Sequence, residues 1–380
     1  MISSRVIVAV ILTFAVPPFS YPVDAQETVP GPESNRLVPA TAGYLLMDRS
    51  NREITAIELP SLRETIIRPT RAMDRSDDPT IHALSGPDAD GRIAYIEDHF
   101  FVANEKSRRH LLKTIRLDGT GDTELFSRPG SAMWATTRAG RGEIGSHLAL
   151  APSGGKVAFI SGLVEKQMPR ALLNEGKIEI WDIEQKRRLD VTANAIDQPM
   201  SWFPDGKRLA FVRLVARDKL PREALGLDKF GKYLGQSWDE IPAIYVLDID
   251  DGKSSFLHVG WKPVVSTAGD TVLVGGWDNR SKFSWHIFQF ERRESSLVRW
   301  PGDAGGAIAM PAPNMVLYWG LPTAGAPLQQ TKNNSPVRGP KPMLTVKLAR
   351  FDSDEFQTVV PSIDPRTHVS FGVVSKAARE

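Results

Sequence analysis

Cysteine is absent from the 380 residues. That excludes disulfides, cysteine-containing zinc sites, thiol catalysis and a lipoprotein-type cysteine anchor. An excess of either charge is lacking too: 47 Lys and Arg stand against 45 Asp and Glu, a formal net charge of +2. The dense basic field of a dedicated nucleic-acid binder is missing, so no nucleic-acid partner is expected. No apolar run reaches the roughly twenty residues that a membrane span needs. G-x-S-x-G and H-E-x-x-H are both absent, which leaves neither a hydrolase nucleophile elbow nor a zinc-protease helix. What is present is the material of a globular core, with apolar content of 41% and charged content of 24%.

The chain opens with Arg5, an apolar stretch over 6–16, and Val23-Asp24-Ala25 before Gln26. A positive start, a short apolar core and small residues at the end form the pattern of a secretory signal peptide. Residues 1–25 are therefore expected to be cleaved, 26–42 to form an N-terminal extension, and the mature protein to be periplasmic or secreted.

A repeat organises the remainder. Met200-Ser201-Trp202-Phe203, Pro204-Asp205-Gly206-Lys207 and Arg208-Leu209-Ala210-Phe211-Val212 read as strand, tight turn and strand, since Gly supplies the positive φ that such turns require. Weaker copies centre on 152–156, 87–91, 268–270 and 312–314, each between apolar strands. Each hairpin is followed by a second with its own polar turn, at 118–122, 184–188, 250–253, 291–294 and 352–355. Four strands per unit, repeated around an axis, make a propeller blade. Five units are complete, and 44–47, 53–59 and 64–68 supply three strands of a sixth. Its missing first strand is expected at 369–374, which would close one blade with both ends of the chain and cover two sheet edges. The predicted fold is all-β: a six-bladed β-propeller of four-stranded antiparallel blades over 43–376, with an insertion at 213–242.

The Pro-Asp-Gly-Lys unit at 200–212, with its echoes at 148–160 and 84–96, resembles the repeat of TolB-like β-propellers. The resemblance implies six blades and a non-catalytic role in binding proteins. Related blades also form the gate of prolyl-oligopeptidase-like peptidases. TolB's N-terminal α/β domain has no counterpart in the short stretch 26–42, so a role in the Tol system does not follow. True WD repeats are not implied, because Trp181-Asp182 falls in a third strand and Trp277-Asp278 after a second.

Strands that alternate in direction place first-to-second and third-to-fourth turns on one face, and all other connections on the opposite face. The second set is expected to be long, at 97–110, 128–147, 161–176, 213–241 and 320–342, and long connections on a rigid frame commonly carry binding. Arg128, Arg138, Arg141, Lys332, Arg338 and Lys341 make this face mildly basic, which suits an acidic protein or other macromolecule. Leu227, Phe230, Leu234 and Trp238 recur at helical spacing, so Phe230 and Trp238 are candidates for an apolar contact. Gly226, Gly231 and Gly235 oppose that helix, each by about 1 kcal/mol.

Chemical motifs are sparse, and no cofactor is expected. Residues 226–232 have P-loop spacing, but Tyr233 stands where Ser or Thr should hold magnesium. Asp248, Asp250, Asp251 and Gly252 look like a calcium loop without its closing Glu, so a solvated turn is the simpler account. Among seven histidines, His82 and His147 are placed just before first strands, at the end of the central channel. An enzyme reading, a lyase or hydrolase with a divalent metal there, is the alternative to a binding scaffold. The equivalent positions near Gln198, Lys262 and Gly306 offer no third ligand, and a catalytic metal generally takes three.

Overall fold

The computed structural model describes residues 43–49, 52–69, 79–99, 109–129, 144–168, 171–221, 239–277, 283–298, 304–312, 314–320, 343–351, 353, 355–364 and 367–375. The expected signal peptide and N-terminal extension lie outside them.

Six antiparallel sheets make up the fold. The first is built from β1 (Gly43–Arg49), β2 (Glu53–Leu59) and β3 (Glu64–Arg68), and the second from β4 (Thr80–Ser85), β5 (Arg92–His99), β6 (Arg109–Arg116) and β7 (Thr123–Pro129). The third contains β8 (Ile144–Leu150), β9 (Lys156–Met168), β10 (Ala171–Asp182), β11 (Arg187–Arg188) and β12 (Asn194–Ile196). The fourth has β13 (Ser201–Trp202), β14 (Arg208–Ala216), β15 (Glu240–Asp248) and β16 (Ser254–Val259). The fifth has β17 (Trp261–Val265), β18 (Thr271–Trp277), β19 (Phe283–Gln289) and β20 (Glu294–Leu297). The sixth has β21 (Ala304–Ala312), β22 (Met315–Gly320), β23 (Leu344–Arg350) and β24 (Phe356–Ile363). Finally β25 (Val369–Gly372) returns to the first sheet and pairs with β1, Tyr44 against Gly372 and Met47 against Val369.

The inner strands touch in a cycle, β25 to β4, β8, β13, β17, β21 and back to β25, which makes the six sheets the blades of a closed propeller. Their edges are joined by hydrogen bonds. Ser370 Oγ donates to Gly86 O (3.2 Å), Leu150 N to Ser85 Oγ (2.9 Å), Trp202 Nε1 to Ala149 O (2.9 Å), Val265 N to Ser201 Oγ (3.0 Å) and Thr267 N to Met310 O (3.2 Å). Between β21 and β25 the contact is apolar, with Ile308 and Ala309 in the same cluster as Val369 and Phe371. Buried apolar clusters lie between blades rather than at one centre. Leu46, Ile54 and Tyr95 join the first two blades, Ile96 and Phe159 the next pair, and Tyr318 and Trp285 the last pair. Both faces of an inner sheet are thus covered, so the strands need apolar residues in succession, as Leu209, Ala210, Phe211 and Val212 provide.

The turn chemistry explains why one repeat is clear and the others are faint. In the fourth blade the Asp205 carboxylate accepts the N–H groups of Lys207 (2.9 Å) and Arg208 (3.2 Å), and Gly206 sits at φ 62°. Asp88 performs the same task for Asp90 (3.0 Å) and Arg92 (2.8 Å) in the second blade, with Gly91 at φ 74°. In the fifth, Ser266 replaces the Asp and its hydroxyl accepts from Gly269 N (3.1 Å). One backbone conformation is reached with different side-chain acceptors.

Two expectations are corrected. Residues 161–176 are not a loop: β9 and β10 run on as a paired hairpin to Met168 and Ala171, because Val164 pairs with Glu175 and Gln167 with Leu172. The outer edge of that blade is split, since β11 covers only Trp181 and Asp182, and β12 covers Glu175 to Lys177.

Removing residues 365–380 is expected to abolish a cooperative urea transition and cause self-association, because the edge of β1 loses its partner strand. Size-exclusion chromatography and chemical denaturation check this; a monomer with an unchanged midpoint would contradict it.

Candidate functional site

The starts of the inner strands gather at one end of the channel, and several are irregular there. The β4–β5 register shifts between Ile81 and Ala83, the β8–β9 register between Ile144 and Leu148, and the β17–β18 register between Trp261 and Val264. His82, His147 and Lys262 each lie within one of these irregularities, and Lys262 has φ 51°. A bulge re-aims a side chain out of strand alternation, which is why bulges recur beside functional sites. His82 and His147 were expected just before their strands; they lie inside them, on bulges.

A third imidazole arrives from the closing blade. His368 immediately precedes β25 and is 31% exposed, with Nδ1 2.7 Å from Asp48, whose side chain is fully buried. His147 is also 31% exposed and is backed by Asp197 at 3.0 Å. A carboxylate only accepts, so each imidazole donates its Nδ1–H and leaves Nε2 facing away from its aspartate. Gly145 makes the second pair possible, because a Cβ there would stand 2.5 Å from Asp197 Oδ1. Ser146 completes the cradle, donating to Asp197 from its N–H (3.1 Å) and its hydroxyl (2.9 Å). His82 stacks on buried His110, with ring centroids 5.4 Å apart. No nitrogen of His82, and no Nε2 of His147 or His368, has a hydrogen-bond partner among the described residues.

The charges of His368 and Asp197, from the two flanking blades, both reach His82. Burial, reinforced by the charges of His110 and His368 and opposed by Asp98 and Asp197, lowers His82 from 6.5 to about 4. Burial alone would raise Asp197, but hydrogen bonds and charge from His147, with hydrogen bonds from Ser146, outweigh it and hold the carboxyl low. At Asp48 burial prevails over His368, and the carboxyl is raised. Burial lowers Lys262. Among the described residues, no three His, Cys, Asp or Glu side chains are grouped closely enough to hold a metal ion.

Of the residues proposed for the long-connection face, Arg128 is described. Its guanidinium makes a two-pronged ion pair with Glu179 of the next blade (Nη1 to Oε1 2.8 Å), and Ser161 donates to the same carboxylate. The guanidinium also lies over Phe126 at 4.9 Å. Arg68 ties Glu97 and Lys166 ties Glu240 in the same blade-to-blade sense. Arg138, Arg141, Phe230, Trp238, Lys332, Arg338 and Lys341 lie outside the described residues, as do the P-loop-like stretch and the amphipathic pattern. The calcium-like stretch is a turn in which Asp248 accepts from Asp250 N (2.9 Å) and Asp251 from Lys253 N (2.8 Å).

Sequence reasoning missed His368, Asp48, Asp197 and His110. His368 carried a signal: it stands directly before the strand expected to close the ring, the position at which His82 and His147 were sought. The aspartates carried none, because their pairing depends on tertiary approach.

No protein-family model matches the chain, and no curated protein does. Among solved structures, a protein of Agrobacterium tumefaciens assigned as TolB aligns at 12% identity over 88% of this chain and 98% of its own, with a TM-score of 0.43. An oligogalacturonate lyase in complex with manganese aligns at 12% over 82% and 74%, at 0.45. A puromycin-hydrolyzing peptidase of Mycobacterium tuberculosis aligns at 11% over 85% of this chain, at 0.45, and this chain spans 46% of it. Such likeness speaks to fold alone. Strand order and the cycle of inner strands by themselves make this a six-bladed propeller.

Three predictions follow from the titrations. His82 binds its proton less readily in the fold than in the unfolded chain, so the fold is unpenalised above pH 6.5 and loses stability down to about pH 4. Urea titrations at pH 7, 5.5 and 4 are expected to show up to roughly 3 kcal/mol of this loss vanish in His82→Phe. Asp197, held low, supports the fold above its unfolded value of 3.8 and loses that support as pH falls through its lower folded value; Asp197→Asn is expected to cost about 1–3 kcal/mol at pH 7 and progressively less as pH falls below 3.8. Asp48, held high, has the opposite sign, so Asp48→Asn is expected to be neutral or stabilising at pH 7 in the same assay.

Proposed function

We propose that this protein is an exported binding scaffold that engages a protein or other macromolecule through the face carrying its long connections. The observation that supports the reading is how connections divide between the two ends of the propeller. At one end the described turns are short and several are tied by their own backbone, as in Gly206 N to Phe203 O (3.0 Å), Gly154 N to Ala151 O (2.8 Å) and Gly252 N to Asp248 O (3.0 Å). At the other end are the strand ends that flank 100–108, 130–143, 222–238 and 321–342 in the sequence. A rigid frame that gathers long segments on one rim suits recognition.

Arg138, Arg141, Lys332, Arg338 and Lys341 give that rim a basic sequence, which favours an acidic partner surface; Phe230 and Trp238 supply apolar contacts. Export rests on the pattern of residues 1–25. Among the described residues no helix is long and apolar enough to cross a membrane. The alternative, an enzyme with a divalent metal near His82 and His147, is favoured by the arrival of a third imidazole, His368, and disfavoured by the spacing of the groups.

Affinity capture from periplasmic extract separates the readings, with wild type set beside Arg138→Glu/Arg141→Glu/Lys341→Glu and beside the short-turn control Lys156→Glu/Lys186→Glu/Lys253→Glu. The rim variant is expected to lose species that wild type and control both retain. Equal loss in both variants, or none, would overturn the rim as the binding face. Metal analysis of the same preparations completes the comparison: a stoichiometric metal lost in His82→Ala/His147→Ala would promote the enzyme.

A further inference from the structure

The channel end holds chemistry that the rim reading does not use. His368 comes from the first blade, His82 from the second and His147 from the third, three consecutive blades. All three keep accessible surface, and among the described residues all three have nitrogens with no hydrogen-bond partner. Two stand on bulges that turn them out of strand alternation. Core histidines are ordinarily satisfied, as His258 is by Val259 O (2.6 Å) and Ser295 Oγ (3.0 Å). Two accessible imidazoles held by buried carboxylates, His147 by Asp197 and His368 by Asp48, with no partner for their outer nitrogens among the described residues, are instead placed for an occupant.

We propose that this channel end seats a protonated primary amine, deepening the rim reading, on which it rests, by naming the anchor that a bound partner inserts.

The choice of ligand follows from the donor set. An uncharged imidazole that gives its Nδ1–H to aspartate presents a lone pair at Nε2, so His147 and His368 offer acceptors. An ammonium offers three N–H donors and no acceptor, the complement of that set. Hydrogen-bonded neighbours stand about 2.9 Å away, whereas metal ligands must close to about 2.1 Å, and the groups are not clustered tightly enough for the latter. Charge points the same way. Asp197 and Asp48 stand directly behind two of the imidazoles, and Asp98 lies 3.6 Å from His110. An anion would meet those carboxylates, while a cation gains from them. The opposing group is Lys262, at the start of β17, whose proton affinity is already reduced by burial. A partner suited to both rim and channel presents an acidic surface from which one lysine projects.

Calorimetric titration of the full mature chain at pH 8 tests this with Nα-acetyl-lysine N-methylamide and n-butylammonium, against butyrate and butanol at matched ionic strength. Both amines are expected to bind saturably and the controls not. His147→Phe and His82→Phe are each expected to weaken amine binding at least tenfold. Lys262→Met, which leaves the imidazoles intact, is expected to tighten binding. Butyrate or butanol binding as well as the amines, or unchanged amine affinity in all three variants, would overturn the proposal. Acetylating the lysines of captured species distinguishes a partner's side chain, whose capture is then lost, from a free amine, whose binding continues without it. Loss of capture in the rim variant beside absent amine binding would sink the amine and spare the rim. Amine binding beside indifferent rim variants would support the site and sink the rim reading.

Discussion

Every blade offers an inner strand whose backbone edge faces the channel, and an unpaired edge is both a desolvation cost and a template for aggregation. The structure meets this constraint by a hoop of cross-blade bonds, from Ser370 and Gly86 through Ser85, Ala149 and Ser201 to Met310. The hoop needs few special residues: a serine at three inner strands, an indole beside one of them, and carbonyls elsewhere. With no cysteine to cross-link the chain, ring closure and the apolar layers between blades hold the fold. The placement of every site follows from it, since the direction of the inner strands decides which connections share an end.

At the channel end the same strands depart from regularity. An ideal ladder would give each side chain to one blade interface or the other, and no imidazole would be turned inward. The shifts at Ile81/Ala83 and Ile144/Leu148 break that alternation. Buried Asp48 and Asp197 then fix the rings of His368 and His147. The site is built from backbone irregularity first and side-chain chemistry second.

That order explains what could be read beforehand. The blades were legible because hairpin turns demand local residue types: Asp205-Gly206 is visible in a sequence, and Pro87 to Gly91 nearly so. Closure was legible because five complete units and a three-stranded remnant leave a strand to be found. The extended β9–β10 hairpin was not legible, since Lys166, Gln167 and Asn174 look like loop residues until Glu175 and Glu240 are seen to neutralise Lys166. Bulges leave no composition signal, so His82 and His147 were placed a few residues away from their actual setting. Asp48 and His368 are 320 positions apart, beyond any local pattern.

That separation has a consequence for how the molecule comes into being. β1 is among the first strands to be made and β25 the last, so the opening blade must wait, one edge bare, until synthesis and any translocation have delivered the rest. Long-range pairing of this kind is intrinsically slow, and the waiting edge is open to neighbouring chains. The time β25 takes to arrive, set against encounters at the bare edge of β1, therefore decides how much of the chain reaches the closed ring.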